Sequence, residues 1–178
     1  MIQNEAINTT RLVLIPLSAA QLVMYLDQEN ELFRQVGPVS REILTESLKR
    51  AINMKLKKMT SAPPQDLLWL TYWLIQVPPE GYGAGMIGFK GVPDDNGAVE
   101  IGYGIDSSFR NMGYMTEALE GMIRWAFKDP RCERILAPDT PRSNRGSNRV
   151  LEKVGMRVYQ EKRDSLSWCL DRDRGSMI

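Results

Sequence analysis

The spacing of apolar residues along the chain switches repeatedly between the two-residue period of a strand and the 3.6-residue period of a helix. Arg11 to Pro16 (RLVLIP) is a compact apolar run that suits a first strand, broken at Pro16. Ser18 then offers an N-cap for a helix to about Gln28, with Leu22, Val23 and Leu26 along one face. Gly37-Pro38-Val39 breaks the chain, and a second helix is predicted from Ser40, with Ile43, Leu44, Leu48, Ala51, Ile52, Lys55 and Leu56 in helical register. Lys49, Arg50, Lys55, Lys57 and Lys58 give that helix a basic outer face, read as solvated.

Leu67 to Val77 (LLWLTYWLIQV) reads as a core strand covered on both faces. Trp69, Thr71, Trp73 and Ile75 point one way, and Leu68, Leu70, Tyr72 and Leu74 the other. Turns at Pro78 to Gly81 and Pro93 to Gly97 lead into strands at Ala84 to Val92 and Ala98 to Asp106, an antiparallel meander. A helix over Tyr114 to Lys128 carries Met115, Ala118, Leu119, Met122, Ile123 and Ala126 on one stripe. The next strand, Arg134 to Pro138, is reached through that helix and so is parallel to the one before it. A short helix from Ser143 or Asn144 ends at Gly155, Met156 to Glu161 and Leu166 to Leu170 form a closing hairpin, and the charged tail Asp171 to Ile178 is expected to fray.

Composition narrows the partners. The 178 residues fit a single domain, 1–178, whose 43% hydrophobic content can fill one core. Lys and Arg number 23 against 22 Asp and Glu, so no global field recruits nucleic acid or an anionic membrane. No apolar run reaches the roughly 18 residues of a membrane span, and the N-terminus lacks the regions of a signal peptide, which points to the cytoplasm. Cys132 and Cys169 are far apart and read as reduced and structural. The chain contains no histidine, so a zinc site is not expected and no Ser-His or Cys-His nucleophile exists. Acid-base chemistry must fall to carboxylates, tyrosines, serines or the substrate's own groups.

The candidate chemistry lies in the loop between Asp106 and the Tyr114 helix. Arg110, Asn111, Met112, Gly113, Tyr114 and Met115 bring a cation, a glycine and free backbone N–H groups to a helix start, with no acid between Asp106 and Glu117. Such a start binds anions, although a loop with one glycine is more often an ordinary connection. No phosphate-binding Gly-x-x-x-x-Gly-Lys-Ser/Thr is present, and the glycines Gly81, Gly83, Gly85 and Gly88 sit in a hairpin with no helix following, which excludes a dinucleotide fingerprint.

Arg110 to Met115 resembles the Gln/Arg-x-x-Gly-x-Gly/Ala acetyl-CoA loop of the GNAT superfamily of N-acetyltransferases. Val99-Glu100-Ile101-Gly102-Tyr103, Tyr114 to Leu119, and Asn144 with Ser147, Val150, Leu151, Glu152, Lys153 and Gly155 are similar to its RimJ/RimL-like subgroup, which acetylates ribosomal-protein N-termini; Arg11 to Leu17 resembles that subgroup's opening strand. Met115 departs from the motif, and its place on the apolar stripe turns it toward the core. The resemblance implies an α/β (α+β) fold: a mixed, mostly antiparallel twisted sheet of about six to seven strands, strands 4 and 5 parallel and splayed, with about four flanking helices. It implies an acetyl-CoA-dependent N-acetyltransferase acting on a primary amine by direct attack in a ternary complex, the alternative being a non-catalytic acyl-CoA-binding module. Dimers are common in such families.

On that resemblance the pantetheine pairs with Tyr103, Gly104 and Ile105, the pyrophosphate takes the N–H groups of Met112 to Met115, and Asn144 contacts the cofactor. An α-amine, with a pKa of about 7.7 to 8.0, is roughly one-tenth neutral at pH 7, so a carboxylate acting through water suffices to deprotonate it. Glu100 is the candidate base, or else an exposed strand glutamate; Ser147 is the candidate proton donor to the leaving thiolate, or else a local cap. Relatives with a tyrosine donor carry it four residues later, where this chain has Leu151. Trp69, Tyr72 and Trp73 are candidate linings of the acceptor cleft, with Arg163 to Ser165 as a further wall, and core packing is the competing role for the aromatics.

Overall fold

The computed structural model describes residues 5–28 and 30–175. A two-residue strand, β1 (Ile7–Asn8), precedes the expected first strand, β2 (Val13–Pro16). α1 (Ala19–Leu26) starts at Ser18, whose side chain accepts from the Gln21 N–H while the Gln21 side chain accepts from the Ser18 N–H, a reciprocal cap. α2 (Asn30–Val36) follows, and α3 (Glu46–Met59) is capped by Thr45, not Ser40. Ser40 is buried, and its hydroxyl donates to Asp106 at 2.6 Å. The expected cap at Ser40 fails because a carboxylate 66 positions away takes its hydroxyl, and the helix starts five residues later at Thr45.

The strand predicted over Leu67–Val77 is shorter than expected. Leu67–Leu70 forms one helical turn, α4, and the strand, β3, is Trp73–Val77. The division of faces survives the change of structure except at Leu68, which the helical turn places against the Trp69 cluster instead of with Leu70. Trp69, Trp73 and Ile75 join one apolar cluster, while Leu70, Tyr72 and Leu74 join the other. Then come β4 (Tyr82–Phe89), β5 (Ala98–Ile105), α5 (Tyr114–Ala126), β6 (Arg134–Pro141), α6 (Arg145–Lys153), β7 (Arg157–Glu161) and β8 (Ser165–Asp171). The expected frayed tail is instead tied down as far as α7 (Arg172–Gly175): Asp171 pairs with Arg134 and Arg157, and the Arg172 guanidinium donates to the carbonyls of Phe127, Asp129 and Cys132.

The eight strands form one sheet in the order β1-β2-β3-β4-β5-β6-β8-β7, antiparallel throughout except for the β5–β6 pair. One face carries α5 and α6 over Trp73, Ile75, Val99 and Ile101, the other carries α1, α2 and α3 over Leu74 and Met86, and α4 contributes Trp69 to the first and Leu70 to the second. Lys55, expected on the solvated face of α3, is buried: its ammonium donates to the Phe89 carbonyl and lies 4.7 Å from the Tyr72 ring centre. Among the described residues no helix is long and apolar enough to cross a membrane. Cys132 and Cys169 are buried free thiols, and burial pushes the Cys132 thiol up to about 12.

Candidate active site

The site begins where the parallel ladder stops. β5 and β6 pair only at Ala98 with Arg134, Val99 with Ile135 and Glu100 with Leu136. Beyond that point β6 stays with β8 through an irregularity between Ala137 and Thr140, where Asp139 adopts a φ of 49°. β5 stays with β4 as far as Ile105, so its edge facing β6 is left open from Gly102 onward. A cleft of about 1130 Å³ occupies the gap.

Alternation along β5 shapes the floor of this cleft. Val99 and Ile101 are buried under α5, with Tyr103 and Ile105 packed against the same cluster, so Glu100, Gly102 and Gly104 share the opposite face. A Cβ added at Gly102 or Gly104 would meet nothing within 4 Å, whereas one at Gly88, across from Gly102, would lie 2.7 Å from the Thr71 carbonyl. The two β5 glycines therefore leave space that side chains would fill. Ile43, Leu48, Ala51, Tyr72 and Met86 line the mouth on this side, with Glu42 and Lys90 as its charged members.

The anion loop forms the other wall. Asp106 caps a short turn over Ser107–Phe109, and its carboxyl is held below the usual range by hydrogen bonds from Ser40 and Ser108. Gly113, at φ 80°, is the left-handed N-cap of α5 and supplies no side-chain cap, so the first N–H groups of the helix have no intrahelical partner. Glu117, the acid of the first turn, is occupied elsewhere: it accepts from Thr9 Oγ1 at 2.6 Å, from the Arg11 N–H at 2.7 Å and from Arg11 Nε at 2.8 Å. Burial opposes its ionisation, but these bonds prevail and hold its pKa below the ordinary value. Arg11 also donates to the Met112 carbonyl at 2.9 Å and lies 4.8 Å from the Tyr114 ring centre, so one guanidinium fixes both the loop and its acid.

Stability from this clamp is present above the ordinary carboxylate range and is lost as pH falls through the folded value of Glu117. With Arg11 half exposed, Arg11→Ala is expected to cost about 1 kcal/mol at pH 7 and less near pH 3. Urea titrations at the two pH values check this; equal losses would contradict it.

Arg110, Asn111, Gly113, Tyr114 and Met115 line the cleft with Asn144 and Ser147, as do Tyr103, Gly104 and Ile105. Met112 does not: its carbonyl is bound to Arg11 and its side chain is 50% exposed. The Met115 side chain lies in the core, as its position on the apolar stripe predicts. Asn144 caps α6 by accepting from the Ser147 N–H at 3.1 Å. The Tyr103 hydroxyl reaches 3.5 Å from the Ser147 carbonyl, and burial pushes its phenol up to about 12, so it is protonated throughout the neutral range. Leu151, four residues after Ser147, is a core residue.

Besides Met112, three expected site residues lie outside the cleft wall. Trp69 and Trp73 are 2% and 0% exposed and pack against Trp125 at centroid distances of 4.7 and 5.3 Å, completing the core; of the three aromatics only Tyr72 reaches the cleft. Glu100 lines a smaller recess with Gly91 and Leu136, and its carboxylate is paired to Lys90 at 2.5 Å. Lys90 borders both spaces, so the pair stands between them. Arg163 to Ser165, at the β7–β8 turn, are also absent from the wall. Sequence reading missed Glu42, which accepts from Ser107 and lies 3.8 Å from Arg110, and it missed Lys90. The signal that could have found Lys90 is its place directly after β4, which pairs antiparallel with the strand carrying Glu100.

The mixed sheet thus opens between β5 and β6 beside a helix start that no side chain caps, and the cleft lies at that gap. The acetyltransferase (GNAT) domain matches residues 11–157, and the chain belongs to that family. Over 97 residues it is 36% identical to YjdG, an uncharacterized N-acetyltransferase of Bacillus subtilis, covering 54% of this chain and 56% of that one. It is 46% identical over 55 residues to YjcK, a probable N-acetyltransferase of the same organism, covering 31% of this chain and 30% of that one. The match thus spans little more than half of the first relative and less of the second. In fold the chain is similar to RimL, a ribosomal alpha-N-protein acetyltransferase, in complex with coenzyme A (TM-score 0.63, 19% identity, 94% of this chain and 98% of that one). A GNAT-family acetyltransferase from Bacillus anthracis is comparable (TM-score 0.62, 19% identity, 95% and 99%).

Proposed function

We propose that this protein transfers the acetyl group of acetyl-CoA directly to a primary amine, with both substrates bound in the cleft between β5 and β6. The observation that carries the reading is the pairing of two unlike walls across one opening: uncapped N–H groups at Gly113 to Met115, and the vacant Gly102–Gly104 face beside Glu100. The residues fit an elongated anionic thioester, because the acid of the first turn is neutralised by Arg11 and the β5 edge is unpaired.

Acetyl-CoA supplies the activated acetyl group. The N–H groups at the start of α5 bind its pyrophosphate, and the free edge of Tyr103 to Ile105 orients the pantetheine. Glu100 takes the proton of the acceptor ammonium through water. Ser147 is the candidate donor to the departing thiolate, with the Tyr103 hydroxyl beside it restricted by its raised pKa to donating a hydrogen bond. The acceptor mouth is mainly apolar, and Glu42 is already engaged by Ser107 and Arg110, which favours an amine on an apolar body, at a protein N-terminus or in a small molecule, over a polyamine.

Saturating acetyl-CoA, at about 100 times its Kd, is expected to add roughly 2.7 kcal/mol of stability, a rise in melting temperature of about 5–10 °C for a chain of this size. No rise at millimolar ligand overturns the cofactor assignment. Thiol release with a panel of primary amines then reads the transfer itself.

A further inference from the structure

Two lysines, Lys90 and Lys153, line the cleft. Lys153 ends α6, about 9 Å along the helix axis from Ser147. Lys90 stands directly after β4 and borders both the cleft and the recess that holds Glu100. Its backbone is held on both sides: the N–H donates to the Glu100 carbonyl at 2.8 Å, and the carbonyl accepts from Lys58 Nζ at 2.9 Å. The exposed side chain is a flexible stem, and its ammonium rests on the Glu100 carboxylate at 2.5 Å.

The proposed function assigns that carboxylate to the ammonium of an acceptor. Lys90 already presents an ammonium to it, on a stem anchored at the cleft wall. Anchoring turns an encounter between molecules into a step within one, which offsets the weaker acidity of a lysine ammonium beside an α-ammonium. We infer that Lys90 is an internal acceptor: with acetyl-CoA bound and no outside amine present, the acetyl group passes to Lys90 Nζ. The inference rests on the acetyl-CoA reading and on the role of Glu100 within it. The ammonium gives one proton to Glu100, and the neutral Nζ attacks the thioester carbonyl carbon. The N–C bond forms, the C–S bond breaks, and the departing thiolate takes the second proton that the nitrogen gives up, leaving as coenzyme A. Each chain consumes one acetyl-CoA, and the proton on Glu100 passes to solvent. The resulting amide is uncharged, so it ends the ion pair and releases Glu100.

The test incubates the full chain with acetyl-CoA alone and follows each lysine by peptide mass spectrometry. Lys49 and Lys162 are the controls. They too are ion-paired, to Glu46 at 2.8 Å and to Asp139 at 2.6 Å, with side chains 38% and 52% exposed against 65% for Lys90, yet neither lines the cleft. Lys90 is expected to gain one acetyl group roughly 10²-fold faster than either control, at a rate per chain independent of protein concentration. Excess coenzyme A, or Glu100→Gln, is expected to bring Lys90 down to the control rate. Equal labelling of the three lysines overturns the inference. Labelling of Lys90 that excess coenzyme A leaves unchanged also overturns it, because that is spontaneous chemistry on an exposed amine. A rate that grows with protein concentration puts the transfer between chains, and a Glu100→Gln chain labelled as fast as the wild type shows no need for this carboxylate; either result overturns it equally. The cofactor reading outlives all of these outcomes as long as acetyl-CoA raises the melting temperature, and it fails itself if no rise is seen.

Discussion

Glu100→Gln is expected to lower turnover by roughly 10²- to 10⁴-fold at pH 7, the range for loss of a general base, while leaving the thermal shift by acetyl-CoA unchanged. The separation follows from position: Glu100 shares the face of β5 with Gly102 and Gly104 and lines the smaller recess, whereas the Arg110–Met115 loop lines the cleft. Its bond to Lys90 does not forbid the role. With Lys90 65% and Glu100 39% exposed, the pair contributes at most about 1 kcal/mol, so the carboxylate can exchange the lysine for a water on the acceptor at small cost. In the variant the remaining rate should climb with pH and level off above about 8, as an α-amine acceptor loses its own proton. A variant as fast as the wild type at neutral pH would show that the acceptor needs no base from this residue.

Lys55→Met should reshape the dependence of stability on pH. Burial, with a smaller contribution from the charge of Lys58, pushes the Lys55 amine down to about 7. The unfolded chain holds the proton up to about 10.4, so between these values it binds more protons than the folded chain, and stability rises with pH. Below about 7 both states are protonated and the dependence vanishes. The wild type is therefore expected to gain about 2 kcal/mol over Lys55→Met between pH 7 and 9, measured as the difference between two denaturant-derived stability curves. Parallel curves would mean that the buried amine stays charged. The effect reaches the site, because α3 and Tyr72, the two surfaces that Lys55 joins, both line the acceptor mouth.

Local signals carried the anion loop: a glycine at a helix start, an acid-free approach and an apolar stripe that claims Met115. The same was true of α6, whose Asn144 cap and closing glycine, Gly155 at φ 79°, are readable in a few neighbouring residues. Distant partners defeated the reading elsewhere. Leu67 to Leu70 holds only apolar residues, which suit a buried turn of helix as well as a strand, and the contact of Trp69 with Trp125 lies in no local pattern. Lys55 looks like any lysine on a basic helix until the Phe89 carbonyl is brought to it. Ser40 offers a plausible cap until Asp106 takes its hydroxyl.

The division of the interior into two clusters also bears on how this scaffold tolerates change. Met115, Leu119, Leu151 and Val154, which seat α5 and α6, belong to one cluster; Leu17, Leu22, Ile52 and Met59, which seat α1 and α3, belong to the other. Substitutions that share no contacts add nearly independently. On the proposed function, residues of α3 can thus be exchanged to admit a different amine while the cluster under α5 and α6 keeps its energetics.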